Sequence, residues 1–517
     1  MSSTENPLKE YEWMVVVGAF FAFFTAFGIG ANDVANAFAT SVGSKALRIR
    51  DAMIIAAVFE FAGSVLLGGH VSDTIRKGIA SQECFVGQPA VLMWGMVSVC
   101  LCTGLWLYLA TYLELPVSTT HSAVGGVIGM AMVTVGATCV DWGSTTDEPL
   151  YVTGVGSIVM SWVFSPVLSA ILAALIFGIT RTFVLRNDNS TERALQSYPI
   201  LVWFSVSMCL MYVLIKGAKG QNKAIGFDPE GDDLGIAIGV GVGAGLLVAL
   251  ASIGVRGYIR GQTEMESESF DEPASKPAEA SVPVTTQEEA APTGLIGYVR
   301  RALETDVDAI VAENEETTNI HNLAEKFPRK TEVVFKYMQI LTAALDAFAH
   351  GANDVANAMG PYASVYFIYK NQGSFSKKND VGNDMYWILA IGGFGIVVGL
   401  GMYGYKIMYA IGIKVAKITP SRGFSIELGA MFVVLLGSRF GIPLSTTHCQ
   451  VGATLGVAAM EGRTSSTNWT IVAKIVAGWI FTMIINGLFT ATICAIGMAA
   501  IDWNEDQTLS PWWASSA

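Results

Sequence analysis

Apolar residues in this chain come in long blocks, without the every-third-or-fourth spacing of a helix that buries one face against a soluble core. Blocks near 20 residues, the length that crosses bilayer hydrocarbon, fall at 13–40, 51–69, 90–113, 116–136, 153–184, 198–215, 232–258, 333–366, 384–412, 422–441, 443–460 and 469–501. They predict an all-α polytopic membrane protein of about 12 transmembrane segments, seven before a polar interval and five after it. The chain therefore divides into a first membrane part with accessory helices over 13–258, an acidic and largely disordered loop over 259–332, and a second membrane part over 333–501. Residues 262–294 are rich in Glu, Ser, Pro and Ala and poor in aromatics, a composition that cannot bury enough apolar surface to fold. From Leu295 to Phe327 apolar residues return at helical spacing and predict short amphipathic helices.

Loop charge sets an expected orientation, because short cytoplasmic loops are enriched in Lys and Arg. Lys45, Arg48 and Arg50, then Arg181, Arg186 and Arg193, then Lys414, Lys417 and Arg422 mark three loops as cytoplasmic. With twelve crossings, the central loop falls inside and both termini outside, leaving the lysines at 216–223 and 370–378 against the rule. Only 14% of the 517 residues are charged and 52% are hydrophobic, far from the roughly 25% charge of soluble domains. Of the net charge of −12, an excess of 8 sits in 259–330 (15 acids, 7 bases), and no basic stripe exists to neutralise nucleic-acid phosphates. The amino-terminal stretch lacks a basic or Arg-rich targeting character, so no cleaved leader is expected.

The octapeptide GANDVANA occurs at Gly30–Ala37 and again at Gly351–Ala358. A second motif repeats in the same order, Pro116-Val-Ser-Thr-Thr-His121 and Pro443-Leu-Ser-Thr-Thr-His448. The chain is an internal duplication whose copies cross the membrane in opposite senses, the inverted repeat of secondary transporters. Each octapeptide puts Asn and Asp inside an apolar span, where an unpaired carboxylate costs at least about 2.5–3.5 kcal/mol. Their oxygens, joined by backbone carbonyls where glycine opens the helix, suit a hard cation such as Na⁺. The second motif reads as a helix start, with proline ending what precedes and Ser-Thr-Thr capping the N–H groups that attract anions. Two such starts meeting at the membrane centre would cradle a tetrahedral oxyanion. Two further intramembrane acids, Glu60 and Glu427, break the duplication, Gly393 standing roughly opposite Glu60; they read as cation ligands, proton carriers or gate elements, or as acids paired to a neighbouring donor.

His121 and His448 end the hydroxyl motifs and could bond phosphate oxygens or cap the local turn; His350 precedes the second octapeptide where the first copy has Ile29, and no histidine chemistry is expected. Five cysteines read as small core residues, whereas Cys84 and Cys139 lie in polar loops and could pair on an oxidising side. No H-E-x-x-H, Walker A or G-x-S-x-G pattern sits on suitable flanks, so the chain does not read as an enzyme.

The paired GANDVANA and P-x-S-T-T-H motifs, with VSDTIRKGI at Val71–Ile79, resemble the inorganic phosphate transporter (PiT) family of sodium or proton symporters. The resemblance spans both membrane parts and leaves out the acidic loop. It implies broken or re-entrant helices, a homodimer in the plasma membrane, and import of inorganic phosphate without an organic cofactor. Ser118, Thr119, Thr120, Ser445, Thr446, Thr447, Asn36 and Asn357 are then expected to bind phosphate, and Asn32, Asp33, Asn353 and Asp354 to bind sodium. Glu60 and Glu427 match glutamates needed for transport in relatives. The long central loop and the lack of a transit peptide favour sodium as coupling ion, with proton coupling, another oxyanion such as sulfate, or a phosphate sensor or exporter as alternatives.

Overall fold

The computed structural model describes residues 6–143, 154–216, 227–228, 231–271, 314–374, 384–439 and 442–500. Helix α1 (Glu12–Ile29) passes through a wider π turn at Gly30–Val34 into α2 (Ala35–Gly43). Then come α3 (Ile49–Lys77), α4 (Pro89–Tyr112), α5 (Thr119–Thr134), α6 (Gly154–Thr180), α7 (Ser190–Lys216) and α8 (Leu234–Asp271). The second part holds α9 (Glu315–Leu323), α10 (Arg329–Lys370), α11 (Asp384–Tyr403), α12 (Tyr405–Gly412), α13 (Pro420–Arg439), α14 (Thr446–Ala459) and α15 (Trp469–Ala500). Nine stretches among the described residues have the length and apolarity to cross a bilayer. This is an all-helical polytopic membrane protein.

Three expected spans differ from that set. The run at 116–136 contains α5, 16 residues or about 24 Å, and that at 443–460 contains α14, 14 residues or about 21 Å. Both fall short of the roughly 30 Å of hydrocarbon, because the proline end of each run is irregular chain and only the remainder is helix. The run at 333–366 lies within α10, whose 42 residues reach about 63 Å but carry a polar stripe. The run at 384–412 divides at Gly404 into α11 and α12. Helix α8 continues to Asp271, ten residues into the stretch expected to be disordered; no proline lies between Leu234 and Asp271, and the first follows at Pro273. Residues 272–313, which include most of that stretch and most of the expected amphipathic helices, lie outside the described residues.

The octapeptides do not open their helices. The first only widens one turn, and α10 runs unbroken through the second. Their glycines serve close approach instead. A Cβ on Gly30 would lie 1.8 Å from the Ile396 carbonyl oxygen, and one on Gly351 would lie 2.2 Å from that of Glu60. Each octapeptide helix thus presses on the next long helix of the other copy, α1 on α11 and α10 on α3. This reciprocity puts Ile396, three residues beyond Gly393, in the place that Glu60 holds in the first copy.

Two of the three basic loops expected to share a side meet. Arg181 and Arg186 reach the Glu325 carboxylate at 2.5 and 2.9 Å, and Arg422 reaches Glu461 at 2.5 Å and the Glu325 carbonyl at 2.8 Å. A disulfide joins Cys84 to Cys139, in the loops after α3 and α5, beside an antiparallel bridge between Ala80 and Val140.

Hydrogen bonds from Arg186, then Arg181, hold the Glu325 carboxyl below the usual carboxylate range. A carboxyl lowered in this way stabilises docking at neutral pH, and the benefit is lost as pH falls through the lowered value. The partly exposed Arg181–Glu325 pair is worth up to about 1 kcal/mol. Glu325→Gln should therefore speed hydrogen exchange of the Glu315–Leu323 backbone by up to about fivefold at pH 7, and acidification should do the same to the unaltered chain after correction for intrinsic rates.

Candidate functional site

Both hydroxyl motifs start helices as their sequence predicts. Ser118 and Ser445 are extended N-cap residues whose oxygens accept from the backbone N–H of His121 and His448 at 3.3 Å. Each cap bond uses a serine lone pair, and the four threonines are the hydroxyls that bond across to the other copy. The helix starts face each other across the two octapeptide aspartates.

Thr119 donates to Asp33 Oδ2 at 2.8 Å, and its backbone N–H follows at 3.3 Å. From the other copy, Thr447 and Thr446 donate to Asp33 Oδ1 at 2.6 and 3.1 Å. Thr446 also reaches Asp354 Oδ2 at 2.8 Å. Thr120 donates to the Leu444 carbonyl at 3.0 Å and Thr447 reaches the Val117 carbonyl at 3.3 Å, stitching the loops together. Asp33 is 1% exposed and Asp354 fully buried. The residues expected to hold an anion and those expected to hold a cation are one cluster, in which the hydroxyls grip the protein's own carboxylates.

The four asparagines fall into two pairs. Asn32 donates to Thr111 and to the Leu115 carbonyl, both at 3.0 Å, and accepts from Val117 N–H at 2.9 Å. Asn353 donates to the Leu444 carbonyl at 2.9 Å and accepts from Ser438 at 3.3 Å. Both carboxamides donate to the loop ahead of a helix start, and Asn353 also donates to Asp354 Oδ1 at 2.7 Å. Asn36 and Asn357, expected on the phosphate, donate to Asp33 (2.8 Å) and Thr119 (3.0 Å), and the Oδ1 of each is buried without a partner. Orphan carbonyl oxygens beside carboxylates suit a cation.

His350 links the asymmetric acid to this cluster. Its Nδ1 lies 2.6 Å from Glu60 Oε1 and its Nε2 2.9 Å from Asp354 Oδ2 and 3.9 Å from Asp33 Oδ1. Asp33, His350 and Asp354 each offer a ligand atom, all within 4.8 Å of one another. His350 has no counterpart in the first copy, where Ile29 stands, so repetition in the sequence does not mark it. Glu427 lies in a separate nest, accepting from Thr40, Ser41 and Thr342 at 2.6 Å and Gln339 at 3.1 Å. Sequence reasoning missed that nest and Asp346, a buried acid influenced by Glu427, His350 and Glu60. Their signal is on α10, where Gln339, Thr342, Asp346, His350 and Asp354 recur at helical spacing along one face.

The imidazoles of His121 and His448 point away from the aspartates and from the loops in front of them. The Nδ1 of His121 lies 3.2 Å from the Trp479 carbonyl, and that of His448 3.2 Å from the Trp162 carbonyl.

A helical membrane body that buries acids, carboxamides and hydroxyls where two short helices start face to face is a transporter, and its chemistry fits small ions. The chain belongs to the phosphate transporter family, whose family model matches residues 29–490. It is 33% identical to the phosphate-repressible phosphate permease pho-4 of Neurospora crassa, covering 96% of this chain and 99% of that one. It is 35% identical to the chloroplastic inorganic phosphate transporter 2-1 of Arabidopsis thaliana, over 90% of this chain and 68% of that protein. A solved structure of a sodium-dependent phosphate transporter superposes with a TM-score of 0.71 at 29% identity, covering 95% of this chain and all of the other. The family is one of permeases, not of enzymes.

Asn32→Ala would strand the Val117 N–H and Leu115 carbonyl in the interior. It should lower unfolding stability in detergent by about 1–3 kcal/mol, the cost of buried polar groups left unpaired, as read from a denaturation midpoint.

Proposed function

We propose that the protein is a secondary active symporter that imports inorganic phosphate coupled to sodium by alternating access. The observation that carries this reading is that Thr119, Thr446 and Thr447, at the two helix starts, already hold two buried carboxylates. Those donors are the ones a phosphate would use. Sodium at Asp33 and Asp354, completed by the orphan oxygens of Asn36 and Asn357, takes over the carboxylates. The threonine hydroxyls, with Thr120, then turn to the phosphate. Each ion makes the other's binding cheaper, which is what coupling requires. The name of the solved neighbour, a sodium-dependent transporter, supports the choice of cation.

The same proposal takes the fold as about 12 crossings in two inverted repeats, α5 and α14 each completing a crossing begun by irregular chain. The reciprocal packing of α1 on α11 and α10 on α3 supports it. The Cys84–Cys139 bond supports placing that face outside, since disulfides persist in oxidising compartments. The arginine loops at Glu325 then lie in the cytoplasm, with the central loop, in the plasma membrane.

The test is uptake of labelled phosphate into proteoliposomes, with sodium and proton gradients imposed separately. An inward sodium gradient should drive accumulation and a proton gradient alone should not; the reverse would assign the coupling to protons. Asp33→Asn and Asp354→Asn should each abolish uptake in folded protein. Thr447→Val deletes one donor to a charged acceptor, worth about 1.5–3 kcal/mol. It should raise the phosphate concentration for half-maximal uptake by roughly ten- to a hundredfold and shift that of sodium by less. A shift confined to sodium would place the threonine on the cation.

A further inference from the structure

Directly behind the threonines, four aromatic rings from four helices form one cluster of tilted and edge-on contacts. His121 lies on the Trp162 ring with centroids 3.8 Å apart, and His448 lies on the Trp479 ring at 3.7 Å. The two imidazoles meet edge to face at 4.6 Å. The hydrogen bonds run crosswise. His121 of α5 bonds the carbonyl of Trp479 on α15 while packing on Trp162 of α6, and His448 of α14 bonds the carbonyl of Trp162 while packing on Trp479. Each histidine therefore touches both α6 and α15.

A carbonyl can only accept, so Nδ1 carries the proton in both rings and Nε2 is left as a bare acceptor. Both Nε2 atoms and both indole Nε1 atoms are buried without a partner. Four unmade hydrogen bonds in one cluster are a cost that packing alone does not explain. What the arrangement gains is position. Each histidine follows the last threonine of its motif, and its own N–H is tied to the N-cap serine. The crossed bonds consequently fix where Thr119 and Thr120 stand relative to Thr446 and Thr447.

We propose that His121 and His448 are positioning residues, a reciprocal clasp that sets the spacing of the two threonine pairs and thereby the fit of the oxyanion between them. The inference rests on the reading of those threonines as phosphate donors. It predicts that the Nδ1–H bond is what matters, and not the imidazole as a ligand or a carrier of protons.

Asparagine and glutamine separate these roles, since an Asn carboxamide can place an N–H where Nδ1–H stood, whereas Gln carries it past that point. In proteoliposomes, His121→Gln and His448→Gln should each raise the phosphate KM about five- to tenfold, the loss of one ordinary hydrogen bond. The maximal rate and the sodium dependence should change less than about twofold. His121→Asn and His448→Asn should recover a phosphate KM within about threefold of the unaltered protein. Thermal melting in detergent checks that each variant folds. Equal KM values for the Asn and Gln variants at both positions would overturn the proposal, as would Gln variants that lose rate at unchanged KM. If the unaltered protein takes up no phosphate, the reading of the threonines fails first, and that outcome is visible before any variant is made.

Discussion

Two carboxylates from opposite halves of the chain share a dry interior, with one imidazole between them. Asp33 and Asp354 are at most 1% exposed, and an ionised acid in such a place survives only if hydrogen bonds, an opposite charge or a cation replace the water it has lost. The rest of the architecture supplies these replacements. Gly30 and Gly351 let the helices carrying the acids approach the opposite copy to backbone contact. Asn32 and Asn353 fasten the loops that bring two helix starts to the acids, and the threonines at those starts deliver the hydroxyls. His350 brings Glu60 into the same network.

The hydrogen bonds that make the acids tolerable also explain how two ions of opposite sign could be carried together. A hydroxyl proton satisfies a carboxylate or a phosphate oxygen, not both at full strength. In the proposed coupling, a cation on the aspartates releases donors, and an anion on the donors leaves the aspartates in need of a cation. Linkage of this kind is reciprocal by necessity. Away from the centre, the polar face of α10 continues through Asp346 to the Glu427 nest, so one helix touches every intramembrane acid described above: Asp33 and Glu60 through His350, Glu427 through Gln339 and Thr342.

Much of this was legible in the sequence. Apolar length predicts membrane helices, Ser-Thr-Thr after a proline predicts capped helix starts, and letter-for-letter repetition marks Asp33, Asp354 and the threonines. The same criterion hid what is not repeated. His350 faces Ile29 and Asp346 faces Thr25 in the first copy, so a search by duplication passes over both. The half-length of α5 and α14 was also invisible, since an apolar run of 18 to 21 residues reads alike whether or not its first residues are helical. Asparagine roles depend on which way a carboxamide points, and only the loops folded over Asn32 and Asn353 decide that. The irregular chain falls at the proline motifs and not at the octapeptides, because glycine beside a buried acid suits an opened turn and a close crossing equally well.

Whether the buried acids need a cation before the site accepts phosphate can be read from the thermal stability of the purified protein, without transport. A ligand that binds the folded state alone stabilises it by RT ln(1 + [L]/Kd) and so raises the melting temperature. In choline chloride, phosphate should leave the melting temperature unchanged; sodium chloride should raise it, and phosphate added with sodium should raise it further. An equal response to phosphate in choline and in sodium would contradict the account.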